Sequence, residues 1–244
     1  MTTGTSTGEN PTREAIDRDA RIAWGALALI PGLGARRLAA LISAFGSAEA
    51  AIHAPNQAIV ALDGFTVRAA AAIRAADLGR ADVLLAAAAD AGQLVLIPSE
   101  PEYHARLRSI PDPPPMLFVR GNPGLFGGRA VAIVGSRTHT RYGAEVALEL
   151  ARTAVEAGAV VVSGMALGLD AIAQTAALDA GGTTIGVLGT PVDVIYPTSN
   201  RKLFERTLAT GCLLSEYPTG TRGHPGAFPR RNRLISGLAD VLVV

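Results

Sequence analysis

The stretch Val131-Ala132-Ile133-Val134-Gly135-Ser136-Arg137 decides the fold, because an apolar run ends there in a glycine turn that is followed by a cation. Continuous runs of β-branched residues are typical of strands that are buried on both faces of a sheet. Similar runs recur downstream, and helical patterns separate them, which indicates right-handed crossovers and a parallel sheet. The sequence therefore predicts an α/β protein with a Rossmann-like parallel sheet.

The elements of this sheet are expected to alternate over residues 129–244. The predicted strands span residues 130–134, 159–163, 183–188, 212–215 and 240–244, and the predicted helices span residues 141–157, 168–180, 200–209 and 230–238. The chain ends on the last of these strands, Val241-Leu242-Val243-Val244. A sheet whose final strand is also the end of the chain is unusual, so we expect a Rossmann-like domain that is truncated at its C-terminal end.

Three segments precede this domain. Residues 1–18 are rich in Thr, Gly and Ser and are expected to form a disordered tail. Residues 19–92 are rich in Ala and follow a helical period, which predicts a small all-α domain. Residues 93–128 are expected to connect the two domains and to contain edge strands, at Leu94 to Ile97 and Met116 to Arg120.

The helical segment contains two helix-turn-helix units. Their turns are Pro31-Gly32-Leu33-Gly34 and Gly64-Phe65, and the second turn lacks the second glycine. The Gly-Leu-Gly turn resembles that of a helix-hairpin-helix, whose amides can meet a phosphate at a helix N-terminus. We therefore expect a helix-hairpin-helix or SAM-like domain. A compact helical module that binds no ligand is the alternative interpretation.

The composition gives only an indirect indication of a nucleic-acid partner. The chain has 244 residues and a formal net charge of +1, so its bulk charge does not indicate a polyanion. Its cations, however, are almost all arginine, and Lys202 is the only lysine. Arginine binds phosphate with two parallel donors and stacks on bases. Codon bias accounts for the trend along the whole chain but not for the clustering of arginines in particular loops.

Several classes of protein and site are not supported by the sequence. Cys212 is the only cysteine, which excludes an intramolecular disulfide framework, and it falls in a buried strand. No secretion signal and no apolar run of about 18 residues occur, so we expect a cytoplasmic protein that makes no membrane contact. The histidines lack metal-ligand spacing. Neither a Walker motif nor a dinucleotide fingerprint is present, so neither a metal nor a cofactor is expected.

The candidate ligand-binding residues follow successive strands, whose carboxyl ends meet at one edge of an open α/β sheet. After the first strand, glycine permits a tight turn, a serine can donate to an anion, and an arginine can bind phosphate through its fork. After the second strand, glycines allow a ligand to approach the backbone closely. These candidates are Gly135, Ser136, Arg137, Ser163, Gly164 and Gly168. Ordinary strand-to-helix turn chemistry is the alternative for the second loop.

The remaining candidates open two helices. Asn200 or Ser199 can cap the first of them, and Arg201, Lys202 and Phe204 would project towards the site, where charge holds a backbone and a ring stacks on a base. Core packing is the alternative for Phe204. Arg230, Arg231 and Arg233 are the densest charge in the chain. Cations at a helix start oppose the helix dipole, which favours an anion or acidic partner over a solvated face.

Taken together, these motifs resemble those of the DprA/Smf family. The resemblance rests on the Gly-Ser-Arg turn and on four further stretches in the same order: Ser163 to Asp170, Asp193 to Leu203, Ser215 to Pro218, and Phe228 to Arg233. It implies a single-stranded-DNA-binding protein of bacteria, not an enzyme. The family protects incoming strands in natural transformation and loads the RecA recombinase onto them, usually as a homodimer.

By motif position, the resemblance implies that Arg137, Arg201 and Lys202 contact DNA, with Phe204 as a candidate stacking group. The sequence departs from the family where Gly189-Thr190-Pro191 replaces Gly-x-Gly. In the family the Rossmann domain also continues beyond the strand that ends here at Val244, which weakens the expectation of dimer and RecA contacts.

A nucleotide-processing hydrolase on a Rossmann-like fold is the alternative function. In that interpretation Asp193 or Glu216 acts as the acid or base and Arg137 binds the phosphate.

Overall fold

The computed structural model describes residues 18–244. The tail expected over residues 1–18 therefore lies outside the described residues, apart from Arg18, which begins the first helix. The helices are α1 Arg18–Ala28, α2 Ala35–Phe45, α3 Ala48–His53, α4 Asn56–Val60, α5 Val67–Arg74, α6 Leu78–Asp90, α7 Ala105–Ser109, α8 Arg141–Glu156, α9 Leu169–Asp179, α10 Arg201–Thr210 and α11 Ala227–Leu238. The strands are β1 Leu94–Leu96, β2 Leu117–Gly121, β3 Ala130–Ile133, β4 Val160–Ser163, β5 Thr184–Leu188, β6 Cys212–Ser215 and β7 Val241–Val243.

The seven strands form one sheet in the order β1-β2-β6-β5-β4-β3-β7. The five strands β3 to β7 pair in parallel, as the sequence predicts. The α/β fold class with a Rossmann-like parallel sheet is thus confirmed. Helix α11 begins at Ala227 rather than at the expected residue 230, because the proline at position 229 is tolerated within a first helical turn.

The segment expected to connect two domains instead extends the sheet. Strand β1 pairs antiparallel with β2, and β2 pairs antiparallel with β6. Of these two strands, β1 lies at an edge of the sheet, whereas β2 has a neighbour on each side. The expectation that both are edge strands is therefore corrected. The division of the chain at residues 92 and 128 stays a prediction.

Alternation along the buried strands assigns their side chains to the two faces of the sheet. Val162 in β4 packs in one apolar cluster with residues of α7 and α11, and Val161 packs in another with alanines of α8 and α9. Successive side chains of a strand point to opposite faces. Each fully buried valine contributes about 1.5–3 kcal/mol relative to an exposed one. The helices therefore cover both faces and leave the carboxyl ends of the strands open.

The helical module of α1 to α6 shares a core with the sheet. Trp24 of α1 and Phe118 of β2 belong to the same buried cluster, and the Trp24 indole N–H donates to the Pro115 carbonyl over 2.8 Å. Arg21 of α1 forms an ion pair with the buried Glu100. The module is all-helical, while its likeness to helix-hairpin-helix or SAM-like domains stays a prediction. None of the helices formed by residues 18–244 is long and apolar enough to cross a membrane.

Candidate nucleic-acid interface

A cleft of about 880 Å³ lies at the carboxyl edge of the parallel strands. Its lining comes from the loops after β3, β4, β5 and β6 and from α11, which is where ligands bind in open α/β sheets. The lining includes Arg137, Tyr196, His224, Phe228 and Arg231. The cleft therefore combines cations with aromatic rings, although the whole chain carries a net charge of only +1.

Arg137 presents an exposed guanidinium at the rim of this cleft. Within residues 18–244, neither a hydrogen bond nor an ion pair engages this side chain. The neighbouring Ser136 hydroxyl is used locally: it donates to the Thr138 carbonyl and accepts from the Thr138 N–H over 3.1 Å. The Gly-Ser-Arg turn therefore leaves its arginine free, while its serine fixes the shape of the turn.

Arg201 and Lys202 form a second group of free cations in the first turn of α10. Both are exposed, and no acidic side chain of the described residues pairs with either one. Two cations at a helix N-terminus oppose the positive end of the helix dipole. That arrangement is locally unfavourable without an anion, so it supports a phosphate-binding role.

An aromatic pair, which the sequence analysis does not select, lines the cleft. The ring centroids of Tyr196 and Phe228 are 5.3 Å apart, and 49% of Tyr196 is exposed. Tyr196 follows β5 immediately before a proline, a position that disfavours helix and holds the residue in an extended loop. The position of Tyr196 in the loop after β5 is the sequence signal that could identify it.

The structure does not bring Phe204 to the surface. The ring is 1% exposed and packs in the core with Leu203, Leu213 and Met165. The phase of α10 turns Arg201 and Lys202 outward, and it necessarily turns the next two residues towards the sheet. The expectation that Phe204 stacks on a base is corrected: this side chain belongs to the hydrophobic core.

Arg231 is also turned inward and is only 5% exposed. Its guanidinium donates to the carbonyl of Gly164 over 2.8 Å and to the carbonyl of Val187, which ties the ends of β4 and β5 together. Desolvation by burial lowers the pKa of Arg231 to about 10, with Asp170 acting in the opposite direction, so the side chain stays cationic at neutral pH. The expected anion contact at Arg231 is therefore corrected to a structural contact.

The other two arginines of α11 form ion pairs with acidic side chains. Arg233 meets the Glu216 carboxylate with both terminal nitrogens, over 2.6 and 2.5 Å. Arg230 is half-exposed and lies 3.8 Å from Asp112 and 4.0 Å from Glu216. Two of the three arginines of α11 thus have acidic partners, and the third, Arg231, is bonded to backbone carbonyls.

The end of β4 and the start of the loop that follows it are buried and hydrogen-bonded, whereas Ala166 of the same loop lines the cleft. The Ser163 hydroxyl donates to the Ile133 carbonyl over 2.5 Å, and the Gly164 N–H donates to Asp170 over 3.0 Å. Gly168 has φ +80°, and a Cβ atom there would lie 2.8 Å from the Arg137 Cα. Glycine at position 168 therefore serves the close approach of two loops.

The acidic residues at this edge are committed to structural contacts. Asp170 accepts N–H groups from Gly135 and Gly164, and Asp193 accepts from the Thr219 hydroxyl over 3.1 Å. In the described part of the chain, no cluster of His, Cys, Asp and Glu side chains has the geometry to hold a metal ion. Cys212 is fully buried, and desolvation raises the pKa of its thiol to about 12.

Comparison with known proteins identifies the family. The family model described as DNA recombination-mediator protein A matches residues 94–244. The chain belongs to this family. The resemblance to DprA and Smf proteins is thereby confirmed, and the matched region contains the whole sheet and the cleft.

Curated relatives show the same family relationship. The chain is 43% identical to Protein Smf of Synechocystis over 155 residues, which are 61% of this chain and 38% of that protein. It is 39% identical to DNA processing protein DprA of Bacillus subtilis over 162 residues, 66% of this chain and 54% of the relative. The matched region thus spans between about a third and about half of the length of these relatives.

Two solved structures share the fold. DNA processing protein A of Streptococcus pneumoniae superposes with a TM-score of 0.75 and 27% identity, covering 92% of this chain and 76% of that one. DNA processing protein A of Helicobacter pylori gives a TM-score of 0.53 and 37% identity, covering 62% of this chain and 67% of that one. The description of the Helicobacter structure states that this protein binds single-stranded DNA.

Proposed function

We propose that this chain binds single-stranded DNA at the carboxyl edge of its sheet and acts as a non-catalytic recombination mediator. One observation carries the proposal: the exposed, unpaired Arg137 lines a cleft whose wall contains the Tyr196–Phe228 pair. The exposed, unpaired Arg201 and Lys202 begin α10 directly after Asn200, whose amide is bonded to Ala166 of the same lining. Free cations hold a sugar–phosphate backbone, and an exposed ring stacks on bases of any sequence. The membership of the DNA recombination-mediator family supports this assignment.

Repulsion between cations gives this edge a further preference for an anion. Arg137 lines the same cleft as the buried Arg231, and its charge is one of the causes that lower the pKa of Arg231. The two guanidinium groups therefore disfavour one another when no anion is present. A phosphate beside Arg137 would relieve this repulsion, so the site is organised for a ligand that carries negative charge.

The finer roles are proposed from the family and from relatives that are longer than the matched region. We propose that the protein protects incoming strands in the cytoplasm and loads the RecA recombinase onto them, and that it acts as a homodimer. The membership of the DNA recombination-mediator family and the similarity to DprA of Bacillus subtilis support a role in DNA processing, and the finer roles are proposed on that basis.

A nucleotide-processing hydrolase finds less support in the geometry. Such an enzyme needs a carboxylate that is free to take or give a proton near the substrate. Glu216 is held by both nitrogens of Arg233, and Asp193 lies in an exposed loop and is bonded to Thr219. Neither carboxylate lines the cleft, so we assign no catalytic residue.

The proposal is tested by fluorescence anisotropy with a labelled oligothymidylate over a series of salt concentrations. The parent chain should bind the single strand more tightly than the matching duplex. Replacing Arg201 and Lys202 together by Ala should flatten the plot of log affinity against log salt by about 1.4, because each lost phosphate contact on a single strand removes about 0.7. Arg152→Ala is the control, since Arg152 is exposed on α8 and does not line the cleft. Equal affinity for duplex and single strand would overturn the proposal.

A further inference from the structure

The two groups of free cations belong to different elements, the turn after β3 and the first turn of α10, and a third segment is bonded to both elements. This segment, residues 164–168, follows β4. On the side of Arg137, the Leu169 N–H donates to the Ser136 carbonyl over 3.2 Å. The Asp170 carboxylate also accepts the Gly135 N–H over 3.2 Å. The segment after β4 is therefore fixed against the turn that presents Arg137.

On its other side, the same segment is bonded to the start of α10 through one side chain. The Asn200 amide nitrogen donates to the carbonyl of Met165 over 3.0 Å and to the carbonyl of Ala166 over 3.2 Å. Among the described residues, these are the side-chain hydrogen bonds that link the first turn of α10 to the segment after β4. Asn200 directly precedes Arg201 and Lys202, so its amide fixes the position from which both cations project.

Asn200 makes these hydrogen bonds instead of the capping bond that its position at the start of α10 suggests. It occupies the N-cap of α10, where asparagine usually accepts a backbone N–H of the first turn. Here its backbone has φ −90° and ψ 15°, and its side chain makes no capping bond. The helix therefore lacks the stabilisation that a capping hydrogen bond gives. The amide is directed to the neighbouring loop instead.

The segment that Asn200 holds has little freedom to adjust if the amide is removed. Met165 adopts φ +57°, a conformation that is uncommon for residues other than glycine. The Met165 N–H donates to the buried Gln174 side chain over 3.1 Å, and the Gly164 carbonyl accepts from Arg231. The backbone groups around Met165 thus already have hydrogen-bond partners. Loss of the Asn200 amide would therefore free the start of α10 and leave the segment after β4 in place.

We propose that Asn200 is a positioning residue for strand binding, because its amide sets the spacing between Arg137 and the Arg201–Lys202 pair so that one strand contacts both. This inference rests on the proposed function. The sequence predicts that Asn200 contacts DNA. In this proposal Asn200 instead sets the spacing of the residues that contact DNA. A strand bound at both cation groups spans a fixed number of phosphates, and a variable spacing would cost it one of the two contacts.

The first test measures the spacing without any DNA. Nitroxide labels on Arg137→Cys and Lys202→Cys report their separation by pulsed electron paramagnetic resonance, while the fully buried Cys212 stays unlabelled. With Asn200 present, the distance distribution should be narrow. Adding Asn200→Ala should broaden or shift it. Ser199→Ala is the matched control, because Ser199 is the exposed neighbour of Asn200 and should leave the distribution unchanged.

The second test measures binding of the labelled oligothymidylate by variants that otherwise keep the parent sequence. Asn200→Ala should weaken binding roughly fivefold to twentyfold, as expected when the α10 cations keep only part of their charge-assisted contact, and should lower the salt slope. In this background, the Arg201→Ala, Lys202→Ala double change should cost less than it does in the parent. Ser199→Ala should bind like the parent.

The outcomes separate this inference from the proposed function. An unchanged distance distribution, or a parent-like salt slope in Asn200→Ala, would show that Asn200 only stabilises the fold and would overturn the positioning role alone. A changed distribution with unchanged affinity would overturn it as well. If the parent chain does not bind the strand, or if Arg137 and the α10 cations can be removed without effect, the proposed function and the inference both fail.

Discussion

Two groups of cations in this protein look alike in sequence and differ in the structure. Arg230, Arg231 and Arg233 of α11 are buried or paired with acidic partners. Arg137, Arg201 and Lys202 are more widely separated along the chain, yet they are exposed and unpaired among the described residues. A local density of charge therefore says little about its availability to a ligand. Whether a cation is free depends on acids and carbonyls that other parts of the chain supply.

The largest effect should follow from removing the buried cation. Arg231→Met leaves the carbonyls of Gly164 and Val187 without their donor in the interior. We expect the free energy of unfolding to fall by about 3 kcal/mol, since each orphaned buried acceptor costs about 1–3 kcal/mol. Urea denaturation followed by circular dichroism measures it. A variant as stable as the parent would show that this arginine is not the internal tie that we describe.

Removing a free cation should lower the affinity for the strand and leave the stability of the fold unchanged. Arg137→Ala should weaken strand binding by about 1–3 kcal/mol, the range of a hydrogen bond to a charged group, because it deletes a phosphate contact. The midpoint of urea denaturation should stay close to that of the parent, since no described residue bonds to this guanidinium. Anisotropy and denaturation on the same preparation separate the two effects. If Arg137→Ala lost stability and kept its affinity, Arg137 would be a structural residue like Arg231 and not a strand contact.

The aromatic residues offer a similar contrast on a smaller scale. Tyr196→Ala should weaken binding to a single strand by about 1 kcal/mol or somewhat more, the usual contribution of one stacked base. Phe204→Leu should leave affinity unchanged and lower stability instead, because that ring is fully buried. Titrations of both variants with the labelled oligothymidylate provide the measurement. Equal losses of affinity would argue that Phe204 reaches the strand after all.

The smallest effect should come from Arg230, which is half-exposed but lies near two carboxylates. Arg230→Ala should change both strand affinity and stability by less than about 0.5 kcal/mol, since exposed ion pairs contribute little. A loss of affinity comparable to that of Arg137→Ala would mean that α11 contributes directly to the strand-binding surface. Measuring the two variants side by side therefore sharpens the division between paired and free arginines.

The sequence was sufficient where structure depends on local pattern. The apolar runs placed β3, β4, β5 and β6 within one residue of their observed bounds, because a run of β-branched residues reports its own burial. The sequence also predicts β2 as a strand, but it could not show that β2 lies inside the sheet. That position depends on antiparallel pairing with β6, which is nearly a hundred residues away. Pairing between distant segments leaves no local signal.

The site was predictable in outline for the same reason. The Gly-Ser-Arg turn and the first turn of α10 were recognised because strand ends gather at one edge of the sheet. The inward turn of Phe204 and Arg231 was not, since the phase of a helix against the sheet is set by packing. The sequence predicts Asn200 as a cap or a DNA contact, whereas in the structure its amide donates to the carbonyls of Met165 and Ala166.

We propose that an unpaired strand lies along the carboxyl edge of the sheet, across Arg137, Tyr196 and the start of α10. This path can be mapped by ultraviolet cross-linking of the full chain to an oligothymidylate, followed by mass spectrometry of the conjugated peptides. We expect cross-links at Tyr196 and Phe228 and in the peptide that contains Arg137. Cross-links confined to the helical module, or to the amino ends of the strands, would contradict it.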